Sequence, residues 1–352
     1  MAQNIIFTNE VSQALDKVLE GMDFNKLFVL TDVNTAKCVL PKVEDVFTKR
    51  NATIITINAG DVSKNIDSLA HVWKELGENG GTRRSLLVNL GGGMVTDLGG
   101  FAASTFKRGI SFINIPTTLL SSVDAAVGGK TGINFNGLKN EIGVFNEADA
   151  VIISTMPLAT LPIDEVKSGF AEMLKHGLLK GSDTFERLLA YDFDNYNADA
   201  LLDLLEESVN VKREVVLQDP HEKGLRRALN LGHTVGHAFE SMAMSRKQPI
   251  PHGYAVAWGA IVELVLSHMQ LGFPSETLRR YADFVYRNYG AFYITCEDYP
   301  ALIELMRHDK KSNSGEMNFS LLADVGDIKI NCEATEDDVK AALDIYRDLV
   351  HI

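Results

Sequence analysis

Ser85-Leu86-Leu87-Val88-Asn89-Leu90 runs without a break into Gly91-Gly92-Gly93-Met94-Val95-Thr96-Asp97. An apolar run of strand length thus meets three glycines and then a helical stretch. Unobstructed N–H groups and the positive end of a helix can there face a pyrophosphate. The spacing is not the G-x-G-x-x-G of a dinucleotide fold, because Thr96 stands where a third glycine would be counted from Gly91 and Gly93. A tight strand-to-helix turn with no ligand is satisfied by the same residues, since glycine is the default for such turns.

Similar short apolar runs lie on either side, at Lys26 to Thr31, Thr53 to Ile57, Ile110 to Ile115 and Val151 to Ser154, with helical stretches between them. Nearly continuous apolar strands of this kind predict a parallel sheet covered on both faces, a Rossmann-like α/β fold. Ligands of such sheets sit at the strand C-terminal ends. Those ends read Thr31-Asp32, Asn58-Ala59-Gly60-Asp61, Gly91 to Gly93 and Pro116-Thr117-Thr118, all small or polar. Beyond Met156 the spacing becomes helical, as in Leu201-Leu202, Leu204-Leu205 and Ala255 to Leu266. We therefore expect an α/β domain over 1–156 and a mainly α-helical domain over 157–352, with Pro157 and Pro162 punctuating the join. A small β excursion is expected from Met317 to Ile330, and a last helix to Leu349 from Thr335, whose hydroxyl can cap it.

The chain has 352 residues, enough for two domains, and 45% hydrophobic against 23% charged residues describes a folded protein. A net charge of −13 repels nucleic acid and anionic lipid, so neither is an expected partner and any anionic ligand must be met by local basic groups. Cys38, Cys296 and Cys332 are odd in number and far apart, which fits neither a disulfide framework nor a zinc-binding cysteine cluster. The N-terminus lacks a basic region followed by an apolar one, and no uninterrupted apolar run is expected to approach membrane-spanning length. The expected location is cytoplasmic.

Val127-Gly128-Gly129-Lys130-Thr131 is not a Walker motif, because Asp124 stands where the first glycine belongs. Lys130 still offers a cation beside accessible backbone, the alternative being a solvated loop lysine. In the helical half, Gly232-His233-Thr234-Val235-Gly236-His237 places two imidazoles on one helix face. They can share a ligand or divide metal binding from proton transfer, and spacing alone leaves this open. Ser168 to His176 adds Glu172 in a helical context with Lys175 one turn on, and Pro251-His252-Gly253 adds an imidazole at the start of another helix. One Glu and two His from three elements would leave an open coordination position, as catalytic zinc requires.

Taken together these residues resemble the 3-dehydroquinate synthase family of sugar phosphate cyclases. The resemblance rests on Gly91 to Phe101, Lys107-Arg108-Gly109, Ile115 to Asn134, Leu138 to Gly143, Gly169 to Lys175 and Leu229 to Ala238, in order through most of the chain. It implies an NAD-binding α/β domain, a helical metal- and substrate-binding domain, and a homodimer. By motif, Glu172, His233 and His252 would hold zinc or cobalt. NAD would meet Asp32, Asn34, Asp61, Lys64, Gly92, Gly93, Met94, Asp97, Thr117, Thr118, Lys139 and Thr160. The substrate, a small sugar acid phosphate, would meet Arg108, Asp124, Lys130, Asn140, Lys175, Lys212, Arg226, Asn230 and one or both of Lys310 and Lys311. His237 and Glu222 would take proton-transfer or orienting roles, with Lys130, Lys175 and Asn230 also among the catalytic groups.

Two positions depart from the family pattern: Tyr254 and Asp61 each stand where the family usually has Glu. The implied substrate is 3-deoxy-D-arabino-heptulosonate 7-phosphate. Its C5 hydroxyl would be oxidised at NAD+, phosphate eliminated, the ketone reduced again, and the opened ring closed by an aldol step to 3-dehydroquinate. Rival readings are a sibling cyclase, a metal-dependent glycerol or alcohol dehydrogenase, and a catalytically silent NAD-binding sensor.

Overall fold

The computed structural model describes residues 3–195, 197–220, 223–309 and 317–352. The chain divides into two compact units, Met1–Pro162 with Asn197–Val209, and Ile163–Tyr196 with Asn210–Ile352.

The first unit contains eight strands among its described residues: β1 (Ile5–Phe7), β2 (Lys26–Asp32), β3 (Thr53–Ile57), β4 (Ser85–Gly91), β5 (Ser111–Pro116), β6 (Lys130–Phe135), β7 (Leu138–Phe145) and β8 (Ala150–Ile153). Six form one parallel sheet in the order β1-β8-β5-β4-β2-β3. β4 is buried throughout and β2 after its first residue, as continuous apolar runs require. The five strands expected from sequence are those observed, within a residue or two at their ends. β1 was not anticipated; three residues are too few to carry a periodic signal, and it exists by pairing Ile5, Ile6 and Phe7 with Val151, Ile152 and Ile153.

The strand order reverses between β2 and β4, the point at which ligands of open α/β sheets bind. From β4 the chain passes through Gly92, which precedes helix α1 (Gly93–Thr105). At Gly99 an added Cβ would stand 1.9 Å from Asn89 Oδ1, so Gly99 is the residue that lets α1 lie closely on β4. The close-packing role of the missing third glycine is thus taken later in the helix.

β6 and β7 form an antiparallel hairpin, which corrects the reading of Lys130 as a possible loop lysine: it opens a strand. Phe135 pairs with Leu138 across Asn136-Gly137, both at positive φ (50° and 80°). Asn-Gly is the favoured two-residue hairpin turn, and it stood in the sequence.

The second unit is mainly helical. It contains α2 (Ile163–Lys180), α3 (His233–Ser245), α4 (His252–Leu271) and α5 (Glu336–Leu349), with a hairpin of β9 (Met317–Asp324) and β10 (Asp327–Ala334). Thr335 caps α5 reciprocally with Asp338, as its hydroxyl predicted. At 20 residues, with a most apolar window of mean hydropathy 1.2, α4 is long and apolar enough to cross a membrane by length and composition, though its apolar run is not uninterrupted. Its most apolar window is 72% buried within the protein, and Glu263 interrupts it, the character of a core helix.

Glu263 is itself fully buried, and its carboxylate accepts hydrogen bonds from Gly232 N (2.6 Å) and Val235 N (3.2 Å). One helix thereby caps N–H groups at the start of another, α3, that have no partner within their own helix. Glu263→Ala is expected to lower the unfolding free energy by roughly 2–4 kcal/mol, because two buried amides lose their acceptor. Urea titration checks this; a midpoint equal to the parent's would show that water replaces the carboxylate.

Candidate metal centre and strand-end site

Three elements of the second unit converge on one carboxylate oxygen. Glu172 on α2 is fully buried; its Oε2 accepts from Lys175 Nζ, while Oε1 has no hydrogen-bond donor. His233, the first residue of α3, places Nε2 3.4 Å from Oε1, and His252, the first residue of α4, places Nε2 3.5 Å from it. The three donor atoms lie within 4.8 Å of one another. Donors bonded to zinc at about 2.0–2.1 Å in a tetrahedron stand about 3.3 Å apart, close to the distances found. A buried orphan carboxylate oxygen facing two imidazole nitrogens fits a zinc- or cobalt-type cation.

Both rings are turned for that role. His233 Nδ1 lies 3.1 Å from the Leu231 carbonyl, and His252 Nδ1 lies 3.2 Å from Glu240 Oε2. Each partner only accepts, so each Nδ1 donates and each Nε2 faces Glu172. Burial alone would push the Glu172 carboxyl up, but the Lys175 ammonium, then His233 and His252, hold it well below the usual carboxylate range. Burial pushes His233 down, reinforced by Lys175 and only partly offset by Glu172. Burial also opposes charge on His252, yet hydrogen bonds to Glu172 and Glu240 push it up to about 10. A carboxylate kept ionised at complete burial is what a cation site needs.

The close approach of these helices depends on small residues. A Cβ on Gly253 would lie 1.8 Å from the Ser168 carbonyl oxygen of α2, and one on Gly259 2.3 Å from that of Gly232. Gly253 N also donates to Ser168 Oγ at 3.0 Å.

His237 stands one turn beyond His233, with ring centroids 5.4 Å apart, and belongs to a second donor set with Glu240 and His252. Lys175, Lys212 and Arg226 are buried to 5% exposure or less, rare for cations, and Arg226 Nη1 donates to the Pro220 carbonyl at 3.0 Å. Asn230 ends the short helical turn Leu225–Asn230 just before α3. Glu222, Lys310 and Lys311 lie outside the described residues. Sequence reasoning missed Glu240 and Glu263. A signal for Glu240 existed, since it follows His237 by three residues and shares its helix face; none marked Glu263.

In the first unit, the switch-point strand ends carry the residues expected there. Asp32 Oδ1 accepts from Asn34 N (2.8 Å) and Thr35 N (3.1 Å), capping the helix Val33–Cys38, and Thr35 Oγ1 lies 3.4 Å from Thr117 Oγ1. Lys64 Nζ donates to Asp97 Oδ2 at 2.5 Å and to Asn140 Oδ1, joining three predicted residues from separate segments. Asp61 Oδ2 accepts from Asn134 Nδ2 at 3.0 Å, tying the same segment to the hairpin. Gly92, Gly93 and Met94 form the half-buried start of α1. Thr118 Oγ1 donates to Ser121 Oγ, Asp124 lies in the turn Ser121–Ala125, and Thr160 is tied to the Pro157 carbonyl. Arg108 and Lys139 are exposed; Lys107, Arg108 and Gly109 occupy successive positive φ values of 53°, 71° and 113°.

A parallel α/β unit with a glycine turn at its switch point, joined in one chain to a helical unit that gathers a carboxylate and imidazoles, defines the class. Solved structures that share its fold include 2-epi-5-epi-valiolone synthase from Streptomyces hygroscopicus with NAD+ and Zn2+ bound (TM-score 0.87, 22% identity, 99% of this chain and 97% of that one). Another is 2-deoxy-scyllo-inosose synthase complexed with carbaglucose-6-phosphate, NAD+ and Co2+ (TM-score 0.83, 23% identity, 97% and 96%). Glycerol dehydrogenase from Schizosaccharomyces pombe shares the fold more distantly (TM-score 0.69, 15% identity, 99% and 90%). Residues 54–168 match the family model of the 3-dehydroquinate synthase N-terminal region, and residues 169–312 that of its C-terminal region. The 3-dehydroquinate synthase of Parabacteroides distasonis is 48% identical over 346 residues, 98% of each chain. That of Thermococcus kodakarensis is 37% identical over 95% of this chain and 93% of its own. The chain belongs to the 3-dehydroquinate synthase family.

Proposed function

We propose that this chain is a lyase, an NAD- and divalent-metal-dependent 3-dehydroquinate synthase that converts 3-deoxy-D-arabino-heptulosonate 7-phosphate to 3-dehydroquinate and phosphate. The observation that carries the reading is the 48% identity with the Parabacteroides distasonis enzyme across 98% of both chains. When bound, the ion supplies Lewis acidity to substrate hydroxyls, and NAD accepts a hydride and returns it.

The residues divide that work. Glu172, His233 and His252 hold the ion, and Lys175 fixes Glu172 Oε2 so that Oε1 is the ligand. His237 takes the proton of the substrate hydroxyl that is oxidised. Lys175, Lys212 and Arg226 bind the phosphate and carboxylate, since buried cations gain most from anionic partners. Arg108, Asp124, Lys130, Asn140 and Asn230 complete the substrate contacts, with Glu222, Lys310 and Lys311 assigned by family resemblance. The first unit binds NAD at its switch point through Asp32, Asn34, Asp61, Lys64, Gly92 to Met94, Asp97, Thr117, Thr118, Lys139 and Thr160. We include assembly as a homodimer in this reading; β7, exposed along its whole length with Leu138, Ile142 and Val144, is an edge that a second copy would cover.

The test incubates the protein with the heptulosonate phosphate, catalytic NAD+ and zinc. Phosphate and carbocycle are expected in equal amounts, with no net NADH. Phosphate release from glucose 6-phosphate or sedoheptulose 7-phosphate instead would move the chain to a sibling cyclase, and net NADH from glycerol to a dehydrogenase.

A further inference from the structure

The two imidazoles that face Glu172 are held by unlike means. His233 Nδ1 meets the Leu231 carbonyl, a backbone group two residues away that no substitution removes. His252 Nδ1 meets Glu240 Oε2 at 3.2 Å, a side chain contributed by α3 rather than by the helix that carries His252. His252 is also the less enclosed ring, its side chain 30% exposed against 14% for His233, so packing restrains it less. The neighbouring Tyr254 does not take this task, because its hydroxyl donates to Asp164 Oδ1 at 2.9 Å.

We propose that Glu240 is a positioning residue: its carboxylate holds the Nδ1–H of His252 and so fixes the tautomer and ring plane in which Nε2 points at Glu172 Oε1. A neutral imidazole has one lone pair to give, and a carboxylate at Nδ1 leaves it on Nε2. The inference rests on the reading of Glu172, His233 and His252 as the metal ligands. A second arrangement competes with it, since donor atoms of His237, Glu240 and His252 also lie within 4.8 Å of one another, which would make Glu240 itself a ligand.

The experiment strips the full-length chain of metal and titrates it with zinc against a chromogenic chelator, and with Co2+ followed by its visible absorption. Removing an outer partner of a metal-bound histidine typically costs about 10–100-fold in affinity. Glu240→Ala is therefore expected to weaken zinc binding by about that factor and to shift the cobalt bands, with the melting temperature of the metal-free protein unchanged. Glu240→Gln, which keeps an acceptor at the same place, should lose less. His252→Ala should lose far more than either. Zinc affinity within twofold of the parent in Glu240→Ala, with the cobalt spectrum unmoved, overturns the proposal. So does a result in which Glu240→Gln and His237→Ala each abolish binding as fully as His252→Ala, because Glu240 is then a ligand. If Glu172→Ala binds zinc like the parent, the metal-site reading fails, and the positioning role falls with it for that separate reason.

Discussion

Glu172→Gln is expected to leave the protein unable to retain zinc and to reduce turnover by about 10³-fold or more. The size follows from the several kcal/mol that a metal contributes to stabilising developing charge, at 1.36 kcal/mol per decade of rate. A neutral amide is a poor ligand, and Oε1 is the one atom to which both imidazoles point. The substitution also strips Lys175, 2% exposed, of its carboxylate partner. Leaving a buried charge unpaired costs roughly 3–5 kcal/mol, so Glu172→Gln should be unstable as well as metal-free. The double variant Glu172→Gln, Lys175→Met separates the two effects. Its unfolding midpoint should recover most of the loss while zinc, measured by atomic emission, stays absent. Stoichiometric zinc in the single variant would remove Glu172 from the site.

Gly253→Ala should do comparable damage through the backbone. The new methyl would stand 1.8 Å from the Ser168 carbonyl oxygen and 2.5 Å from its carbon, atoms that cannot turn aside. α2 and α4 must then separate, losing the 3.0 Å bond from Gly253 N to Ser168 Oγ. Overpacking of this kind costs about 3 kcal/mol or more when the obstacle is main chain. Glu172 lies one turn beyond Ser168, and His252 adjoins Gly253, so the same separation draws two of the proposed ligands apart, and zinc affinity is expected to fall with the melting temperature. Gly77 is the control: it is exposed within the helix Ile66–Glu78, with nothing within 4 Å of an added Cβ. Gly77→Ala should be neutral or stabilise by up to about 1 kcal/mol. A Gly253→Ala protein that melts and binds zinc like the parent would show that the helix crossing is compliant.

Much of the first unit was readable residue by residue. Val88 and its neighbours announce a covered strand, and Gly91 to Gly93 announce the turn into α1, because strand burial and turn geometry are local demands on side-chain size. Asn136-Gly137 is as local a signal, the favoured turn between two short strands. The second unit was harder. His233 and His237 lie on one helix face at equivalent spacing, so periodicity left their roles open and only the family motif set them apart.

By itself, then, the amino-acid order determined the parallel sheet, the glycine turn at its switch point, the capped last helix and the three segments from which a carboxylate and imidazoles could come. Tertiary structure alone decided that Glu240 holds the far side of His252 and that Glu263 on α4 caps α3, and it brings to Glu172 the pair His233 and His252 that the family motif implied. The physical reason is that these outcomes depend on how closely helices remote in sequence can approach. That distance is fixed by backbone contacts at Gly253 and Gly259, which leave no periodic trace in the chain.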